Sequence, residues 1–195
     1  MACEGILTED ILFDCDNPTT PGIEVNIMLI NQSDIDDTLT TVDPTDKLVI
    51  TNLALKAAKS AIILQGIKQI NSASTELVKK DVSTDKWRHV FTGVALSLNK
   101  ATKTALQEMS EGAKLVAVVE TKSKGAANAD AFHVLGRKMG LELNTATWST
   151  AENDGTFQFE LSSTEGYEEP TVPHTLLETD YATTKAAFDN KFASA

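Results

Sequence analysis

Apolar residues recur at every second position in several short stretches of the chain, and polar turn residues separate these stretches. A period of two is typical of β-strands, because successive side chains point to opposite faces of a sheet. Phe157, Phe159 and Leu161, for example, share one face of such a stretch. The pattern predicts strands at residues 23–30, 47–53, 61–70 with a kink at Gly66, 87–98, 114–121, 129–137, 141–148 and 156–162.

Two of the predicted strands carry an apolar face that can be assigned from the alternation. The face of the first strand consists of Ile23, Val25, Ile27 and Leu29. The apolar row of the long strand at 87–98 consists of Val90, Val94, Leu96 and Leu98. We expect both rows to face the interior of the protein.

One segment has helical rather than strand periodicity. Thr102, Ala105, Leu106 and Met109 lie at positions i, i+3, i+4 and i+7, which places them on one face of a helix. The preceding asparagine is a favourable N-cap, and the glycine at position 112 is a typical C-terminal stop. The predicted helix covers residues 100–111.

The remaining segments are expected to be irregular. Residues 1–22 contain Pro18, Pro21 and Gly22 and are predicted to form an extended arm. Loops are predicted at 31–46, with one short helical turn at 33–38. Residues 71–85 are predicted to form the exposed part of a long hairpin or a loop, and turns or loops are predicted at 122–128 and 149–155. Residues 171–195 are predicted to form a C-terminal tail, in which 180–192 have the spacing of a short amphipathic helix that docks on this subunit or on a neighbour.

These elements predict a single β-rich domain at residues 23–170. Many strands with one mid-chain helix indicate a mainly β fold, a β-sandwich or barrel with one flanking α-helix and extended terminal arms. A chain of 195 residues suits one such domain. No run approaches the roughly 18 apolar residues of a membrane helix, and residues 1–20 lack the Lys or Arg of a signal peptide. The protein is therefore expected to fold where it is made, without a membrane partner.

The net charge of −11 is concentrated at one end of the chain. Residues 1–46 hold eleven acidic residues and no Lys or Arg, which leaves seventeen residues of each sign in the remainder. An acidic surface argues against a protein that reads nucleic acid, because it repels phosphate. Two interpretations stay open: a solvated acidic arm that aids solubility, or a segment that lines a passage through which DNA slides without adhering.

Candidate metal ligands and thiols give no specific site. His89, His133 and His174 lack a second ligand at metal-binding spacing, so buried or interface roles are preferred. Cys3 and Cys15 are expected to be free thiols, with a bridge between them as the alternative. The aspartates that might hold a hard cation such as calcium are Asp14, Asp16, Asp34, Asp36 and Asp37. The EF-hand pattern is missing, so we favour diffuse attraction of counter-ions.

Catalytic motifs are missing from the sequence. Neither a phosphate-binding glycine motif nor a GxSxG nucleophile elbow occurs. Glu168 and Glu169 form the densest carboxylate pair, but they precede Pro170 and are expected to lie in an exposed, solvated turn. Trp87 and Trp148 are expected to be core or interface anchors. The sequence thus predicts no enzyme, with no catalytic residue, no cofactor and no metal.

Two regions of the chain are similar to structural proteins of phages that infect Bacteroidetes, including crAss-like phages. Residues 2–31 resemble the starts of those proteins, with Asp14–Cys15, then Pro21–Gly22, then a strand. Residues 114–143 and 154–170 resemble their tail-tube-like proteins. The residues that carry this second likeness are Leu135, Gly136, Arg137, Gly140, Leu141, Glu142, Asp154, Gly155 and the run Glu168, Glu169, Pro170.

The resemblance implies a phage virion protein that forms homo-oligomeric rings of the tail, as a tail tube or tail ring. In such proteins the rings are commonly hexameric, the inner strands join edge to edge into a continuous barrel, and terminal arms bridge to the next ring. The partners would be other tail and head–tail proteins in a virion assembled in the bacterial cytoplasm, with DNA passing through an acidic lumen without specific binding. The alternatives are a head–tail completion, connector or capsid decoration protein and, from another class, a small hydrolase.

Overall fold

A computed structural model describes residues 7, 10–67 and 70–193. Within these residues the chain forms eleven strands and two α-helices. The strands are β1 (Ile23–Asn31), β2 (Thr41–Val42), β3 (Val49–Asn52), β4 (Ile62–Gln65), β5 (Ser72–Val78), β6 (Lys86–Ala95), β7 (Leu115–Thr121), β8 (Phe132–Leu135), β9 (Glu142–Trp148), β10 (Phe157–Ser162) and β11 (His174–Leu176). The helices are α1 (Lys100–Ser110) and α2 (Tyr181–Asp189).

The strands form two sheets. The larger, seven-stranded sheet has the order β2-β3-β11-β8-β7-β1-β4, and the smaller has the order β5-β6-β10-β9. The smaller sheet is antiparallel throughout, whereas the larger contains one parallel pair, β11 with β3. The predicted fold class is confirmed: the protein is mainly β, a sandwich of two sheets with a flanking helix.

One hydrophobic core lies between the two sheets. Ile27 and Leu29 of β1 pack in a cluster with Phe91 of β6 and with Phe159 and Leu161 of β10. The rings of Phe91 and Phe159 meet edge to face at 6.4 Å between centroids. The alternation predicted for β10 is therefore confirmed, because its apolar face is the face that lies in this core.

A second core covers the opposite face of the larger sheet. Met28 of β1 and Val118 of β7 lie in a cluster with Phe132, Phe188 and Phe192. The two phenylalanines from the end of the chain bring α2 against the sheet, so the fold has three layers. Residues 27–30 of β1 and 115–119 of β7 are buried on both faces of the sheet, and both stretches are continuous apolar runs.

Helix α2 is also held by polar contacts to β7. The side chain of Glu120 is only 4 % exposed, and it accepts a hydrogen bond from Tyr181 Oη at 2.7 Å. Lys124 and Lys185 place their ammonium groups beside the same carboxylate. A buried carboxylate needs such partners, so these contacts fix where the helix begins on the sheet.

Helix α1 agrees with its prediction to within one residue. Asn99 accepts a hydrogen bond from the Thr102 amide at 2.9 Å, as expected of an N-cap. Gly112 adopts φ +95° just beyond the helix, a conformation that favours glycine. Leu106 is buried in the core between the sheets, which makes α1 the flanking helix of the sandwich.

The predicted faces of two strands need correction. In β1 the register shifts between Ile23 and Ile27, which leaves Val25 40 % exposed instead of buried with its row. In β6 Phe91 and its odd-numbered neighbours point inward, and Val90 lies on the opposite face. Of the predicted row, Val94 is buried near the end of the strand, while Leu96 and Leu98 lie beyond β6. The row was misassigned because the odd positions include a histidine and a glycine, which do not read as apolar.

Three further segments can be compared with the predicted elements. Residues 71–85 were expected to form the exposed part of a long hairpin or a loop, and Ser72–Val78 form strand β5, which pairs with β6 in a hairpin at an edge of the smaller sheet. The strand predicted at 61–70 ends at Gln65, and residues 68–69 lie outside the described ranges. The segment after Pro170 contains the expected helix, but it also contributes β11 to the interior of the larger sheet.

The N-terminal arm has no helix or strand over residues 10–22. Apart from Asn17 these residues are exposed, and Ile11, Leu12 and Phe13 are each more than 80 % exposed. Cys15 is an exposed free thiol, while Cys3 lies outside the described residues together with the bridge proposed for it.

Gly93 marks the closest approach inside the sandwich. A Cβ atom at this position would lie 2.6 Å from Phe159 Cζ and 2.9 Å from Phe91 Cε1. We expect Gly93→Ala to lower the free energy of unfolding by about 1–3 kcal/mol, because the core must shift to admit a methyl group. Urea unfolding measures this loss. Ser74→Ala on exposed strand β5 is the control and should change stability by less than about 0.5 kcal/mol; equal losses would contradict the packing argument.

Candidate functional site

The smaller sheet has one face in the core and one face open to solvent. Since Phe91, Phe159 and Leu161 point inward, the residues that alternate with them point outward. We call this surface the outer face. Its residues line a concave groove of about 630 Å³ that crosses all four strands; from these strands come Ser74, Glu76, Arg88, Val90, Glu142, Asn144, Glu160 and Ser162.

The charged groups of the outer face are mainly carboxylates. Arg88 pairs with Glu76 at 3.2 Å, so the arginine is locally neutralised. Asn144 donates a hydrogen bond to Glu160 at 2.6 Å, and Lys114 approaches Glu142 from the rim at 3.5 Å. The face therefore presents hydroxyl, amide and carboxylate groups with a small excess of negative charge.

Both edges of the smaller sheet are open among the described residues. Strands β5 and β9 lie at the ends of the strand order, and each is seven residues long. Residues 144–148 of β9 are all exposed, and most of β5 is exposed as well. An open edge presents unpaired N–H and C=O groups, which makes it a template for pairing with another strand.

The two tryptophans lie in different surroundings. Trp148 is 52 % exposed at the end of edge strand β9, where its indole N–H donates to the Gly155 carbonyl at 3.1 Å. Trp87 is half-buried, and its backbone exchanges two hydrogen bonds with Glu169. Trp148 is thus largely exposed, whereas Trp87 is joined through its backbone to the connection between β10 and β11.

The acidic residues of the β1–β2 connection are paired within the subunit. Asp34 lies 3.0 Å from Lys59, and Asp37 accepts a 2.6 Å hydrogen bond from Arg137. The Arg137 guanidinium holds the pKa of Asp37 below its ordinary value. Asp36 accepts hydrogen bonds from the Thr38 amide and hydroxyl, as in a turn.

The aspartates are not gathered into a cation site. Asp14, in the arm, accepts hydrogen bonds from the backbone of Asp16 and Asn17. Over the described ranges, no three His, Cys, Asp or Glu side chains are placed to hold a metal ion.

His89 is buried at the centre of the fold, with no exposed surface. The Gly136 amide donates to its Nδ1 at 3.1 Å, so its Nε2 carries the proton and donates to the Thr171 carbonyl at 3.0 Å. Burial lowers the pKa of His89 to about 4, so the ring is neutral near pH 7. Burial also lowers the pKa values of His133, in β8, and of His174, in β11.

The glutamate pair before Pro170 corrects the sequence interpretation. Glu168 and Glu169 were expected to lie in a solvated turn, yet they are only 4 % and 0 % exposed. Glu168 pairs with Lys80 Nζ at 2.9 Å. Burial alone would raise the pKa of Glu168. The hydrogen bond from the Lys80 ammonium outweighs this effect and holds the pKa below its ordinary value.

Glu169 closes the turn that follows β8. Its carboxylate accepts hydrogen bonds from the backbone amides of Lys138 at 3.0 Å and Met139 at 2.7 Å. Burial raises the pKa of Glu169, against the opposing effect of these amide donors. The two glutamates therefore attach the connection between β10 and β11 to the rest of the sandwich.

Sequence reasoning missed this polar cluster because its partners are far apart in the chain. Lys80 and Glu168 are separated by 88 positions, and Lys138 and Glu169 by 31. The sequence feature that marked this cluster was a pair of glutamates next to a proline, and such a pair is as typical of an exposed turn as of a buried polar cluster.

Comparisons with known proteins add no relative. Among the described residues, no helix has the length and apolar character to cross a membrane. No family model matches the chain, and neither the curated proteins nor the solved structures searched give a match.

Proposed function

We propose that this chain is a structural subunit of a phage virion that forms rings of the tail, as a tail tube or tail ring, and has no catalytic activity. One observation carries the proposal: a four-stranded antiparallel sheet with two open edges and a concave, polar outer face. The resemblance of residues 2–31, 114–143 and 154–170 to phage structural proteins supports the same role. On this proposal the partners are further copies of the chain and other tail or head–tail proteins, assembled in the bacterial cytoplasm.

The two open edges suit a closed ring. Strands β5 and β9 are equal in length and lie at opposite ends of the sheet, so β9 of one copy can pair with β5 of the next. Such a contact joins two different surfaces, and it generates a ring when the rotation between copies closes. Ring closure also satisfies both edges, which would otherwise invite aggregation.

A ring of six copies has room for a conduit. Six four-stranded sheets joined in this way give a barrel of about 24 strands. Barrels of about 16–18 strands already enclose an aqueous channel, so this barrel is wider. The outer face of the smaller sheet would form the channel wall.

The chemistry of the outer face suits the passage of DNA. Glu142 and Glu160 repel phosphate, and Arg88 is occupied by Glu76. The interpretation that the acidic residues 1–46 line the passage for DNA stays a prediction. Replacing Asp34, Asp36 and Asp37 with lysine should slow the ejection of DNA if these residues line the passage. The same change also breaks the ion pairs with Lys59 and Arg137, so its effect must be compared with that of Glu160→Lys.

Electron microscopy with mass determination on the purified protein tests the ring. We expect closed rings or stacked tubes with a central hole. Monomers or trimers would overturn the proposal and favour capsid decoration or head–tail completion instead.

A lysine on the inward side of edge strand β9 should abolish ring formation. Ala146 is exposed and opposite Phe159, so Ala146→Lys is tolerated in a single subunit but places a charge where the next strand must pack. We expect monomers by light scattering, with stability within about 0.5 kcal/mol of the wild type.

The matched control for this variant is Thr147→Lys. Thr147 lies opposite Gln158, so its side chain points to the outer face and stays solvated in a ring. The control should retain rings. Rings in both variants, or in neither, would show that β9 does not join copies in the proposed way.

A further inference from the structure

The sandwich is open along edge strand β5. A cleft of about 500 Å³ lies there between β5 and the larger sheet, and we call it the β5 cleft. Ile23, Val119 and Leu135 form its apolar floor; they come from β1, β7 and β8 and belong to the core between the sheets. Hydroxyl groups also line the cleft, from Thr20, Ser72, Ser74, Thr75, Thr121 and Ser123.

Within the part of the chain that the structure describes, the inward face of β5 is only partly covered. Ala73 lies opposite Phe91 in the strand pairing, so Ala73, Thr75 and Leu77 point to the same side as the core. Thr75 is nonetheless exposed, and Leu77 is 44 % exposed. In a closed sandwich the inner faces of the two sheets interdigitate. The β5 cleft therefore has room for a further segment of chain.

The N-terminal arm, residues 1–22, begins at the rim of this cleft. Thr20 and Gly22 line the cleft just before the chain enters β1. Farther along the arm, Ile11, Leu12 and Phe13 are each more than 80 % exposed. Adjacent exposed apolar side chains favour burial against an apolar surface, and the floor of the β5 cleft is such a surface at the root of the arm.

A turn lies between the apolar run and the root of the arm. The Asp14 carboxylate accepts hydrogen bonds from the amides of Asp16 at 2.9 Å and Asn17 at 3.2 Å. The Asn17 side chain donates to the same carboxylate at 2.8 Å. Side-chain bonds of this kind stabilise a tight turn of the backbone. The arm thus has a built point at which it can fold back.

Folding back at this turn brings the apolar run to the cleft. In an antiparallel arrangement about residues 14–17, Phe13 lies beside Pro18 and Ile11 lies beside Thr20. Neighbouring antiparallel segments are about 5 Å apart, and Thr20 already lines the cleft. The run therefore reaches the apolar floor while the sandwich stays as it is.

We propose that the apolar run Ile11–Phe13 folds back about the turn at residues 14–17 and closes the β5 cleft of its own subunit. Closure buries the exposed side chains of the arm together with the inward face of β5. It also places the arm along the free edge of β5, which protects a single subunit from unwanted strand pairing. This protective role rests on the ring proposal, in which β9 of a neighbouring copy displaces the arm, whereas the docking itself does not.

Disulfide trapping in the full-length chain tests the closure. Leu12→Cys with Thr75→Cys, in a chain that also carries Cys3→Ser and Cys15→Ser, should form a disulfide within one chain, because bridged Cα atoms lie within about 7 Å. The control places the second cysteine at Val82, which is 99 % exposed at the tip of the same hairpin, and should stay reduced. Equal trapping of both pairs would overturn the docking. A disulfide only between chains would also overturn it and would assign the cleft to the arm of another copy.

Hydrogen exchange provides a second measurement that needs no cross-link. Leu12→Ser together with Phe13→Ser should speed exchange of the β5 amides about tenfold, because the arm no longer covers that edge. Asp10→Ser changes the residue before the run and is the control, so it should leave this exchange unchanged. The amides of β9 are the internal reference. Equal exchange of β5 in the parent chain and in both variants would overturn the docking.

Both measurements are made on the Ala146→Lys chain, so that neighbouring copies do not displace the arm. An intrachain disulfide in a protein whose wild type never forms rings would support the docking and overturn the ring. Wild-type rings, together with an arm that stays open in both measurements, would overturn the docking and leave the ring intact.

Discussion

Replacing Glu169 with alanine should lower the free energy of unfolding by about 3–5 kcal/mol, the largest effect of a single truncation that we expect here. The change leaves the partly buried amides of Lys138 and Met139 without their acceptor and opens a cavity where the Glu169 side chain had no exposed surface. Urea unfolding monitored by tryptophan fluorescence measures the loss.

Glu165→Ala is the control for this change. Glu165 is exposed four positions earlier in the same connection, so its loss should stay within about 0.5 kcal/mol. Similar losses in the two variants would show that the connection is fixed by its backbone and not by the Glu169 carboxylate.

Glu169→Gln separates the hydrogen bonds from the charge. Because burial raises the folded-state pKa of Glu169, the folded protein holds this proton more tightly than the unfolded chain does. The contribution of the group is therefore complete at low pH and is lost as pH rises through the folded-state pKa. The glutamine variant should show a smaller fall in stability as pH rises.

Acidification should destabilise the protein through His89. Its pKa falls from 6.5 in the unfolded chain to about 4 in the folded protein, so the unfolded chain binds the proton first. Stability from this group is present above pH 6.5 and is lost as pH falls toward 4, by about 3 kcal/mol over that window. Urea unfolding at pH 7, 5.5 and 4 follows the loss.

His89→Gln should remove most of this pH dependence. Glutamine keeps an amide donor and acceptor for the Thr171 carbonyl and the Gly136 amide but has no proton to gain. The matched variant His133→Gln should retain the dependence, because His89 is still present. A pH dependence that persists in His89→Gln and vanishes in His133→Gln would show that His133, and not His89, causes the loss of stability.

The sequence predicted those elements whose pattern reflects local physics. Helix α1 was predicted because its cap, its apolar face and its terminal glycine lie within 14 consecutive residues, 99–112. Strand β10 was predicted because one face lies in the core and the other in solvent. The fold class followed from the number of such strands.

The elements that were missed depend on distant partners. Strand β5 lies at an exposed edge, and its inward face contributes only small or widely spaced apolar residues such as Ala73, so its alternation is weak. Strand β11 has three residues and takes its place from β3 and β8. The burial of Glu168 and Glu169 likewise follows from Lys80 and from the turn after β8, which are separated from them along the chain.

The place of β11 in the larger sheet has a consequence during synthesis. Because β11 lies between β3 and β8, the strands on its two sides cannot join into one sheet until residues 174–176 have left the ribosome. Such late, non-local pairing slows folding, and it leaves the edges of β3 and β8 without their partner while the chain grows. A chain interrupted before residue 174 would therefore keep the facing edges of β3 and β8 unpaired, and unpaired strand edges are prone to aggregation.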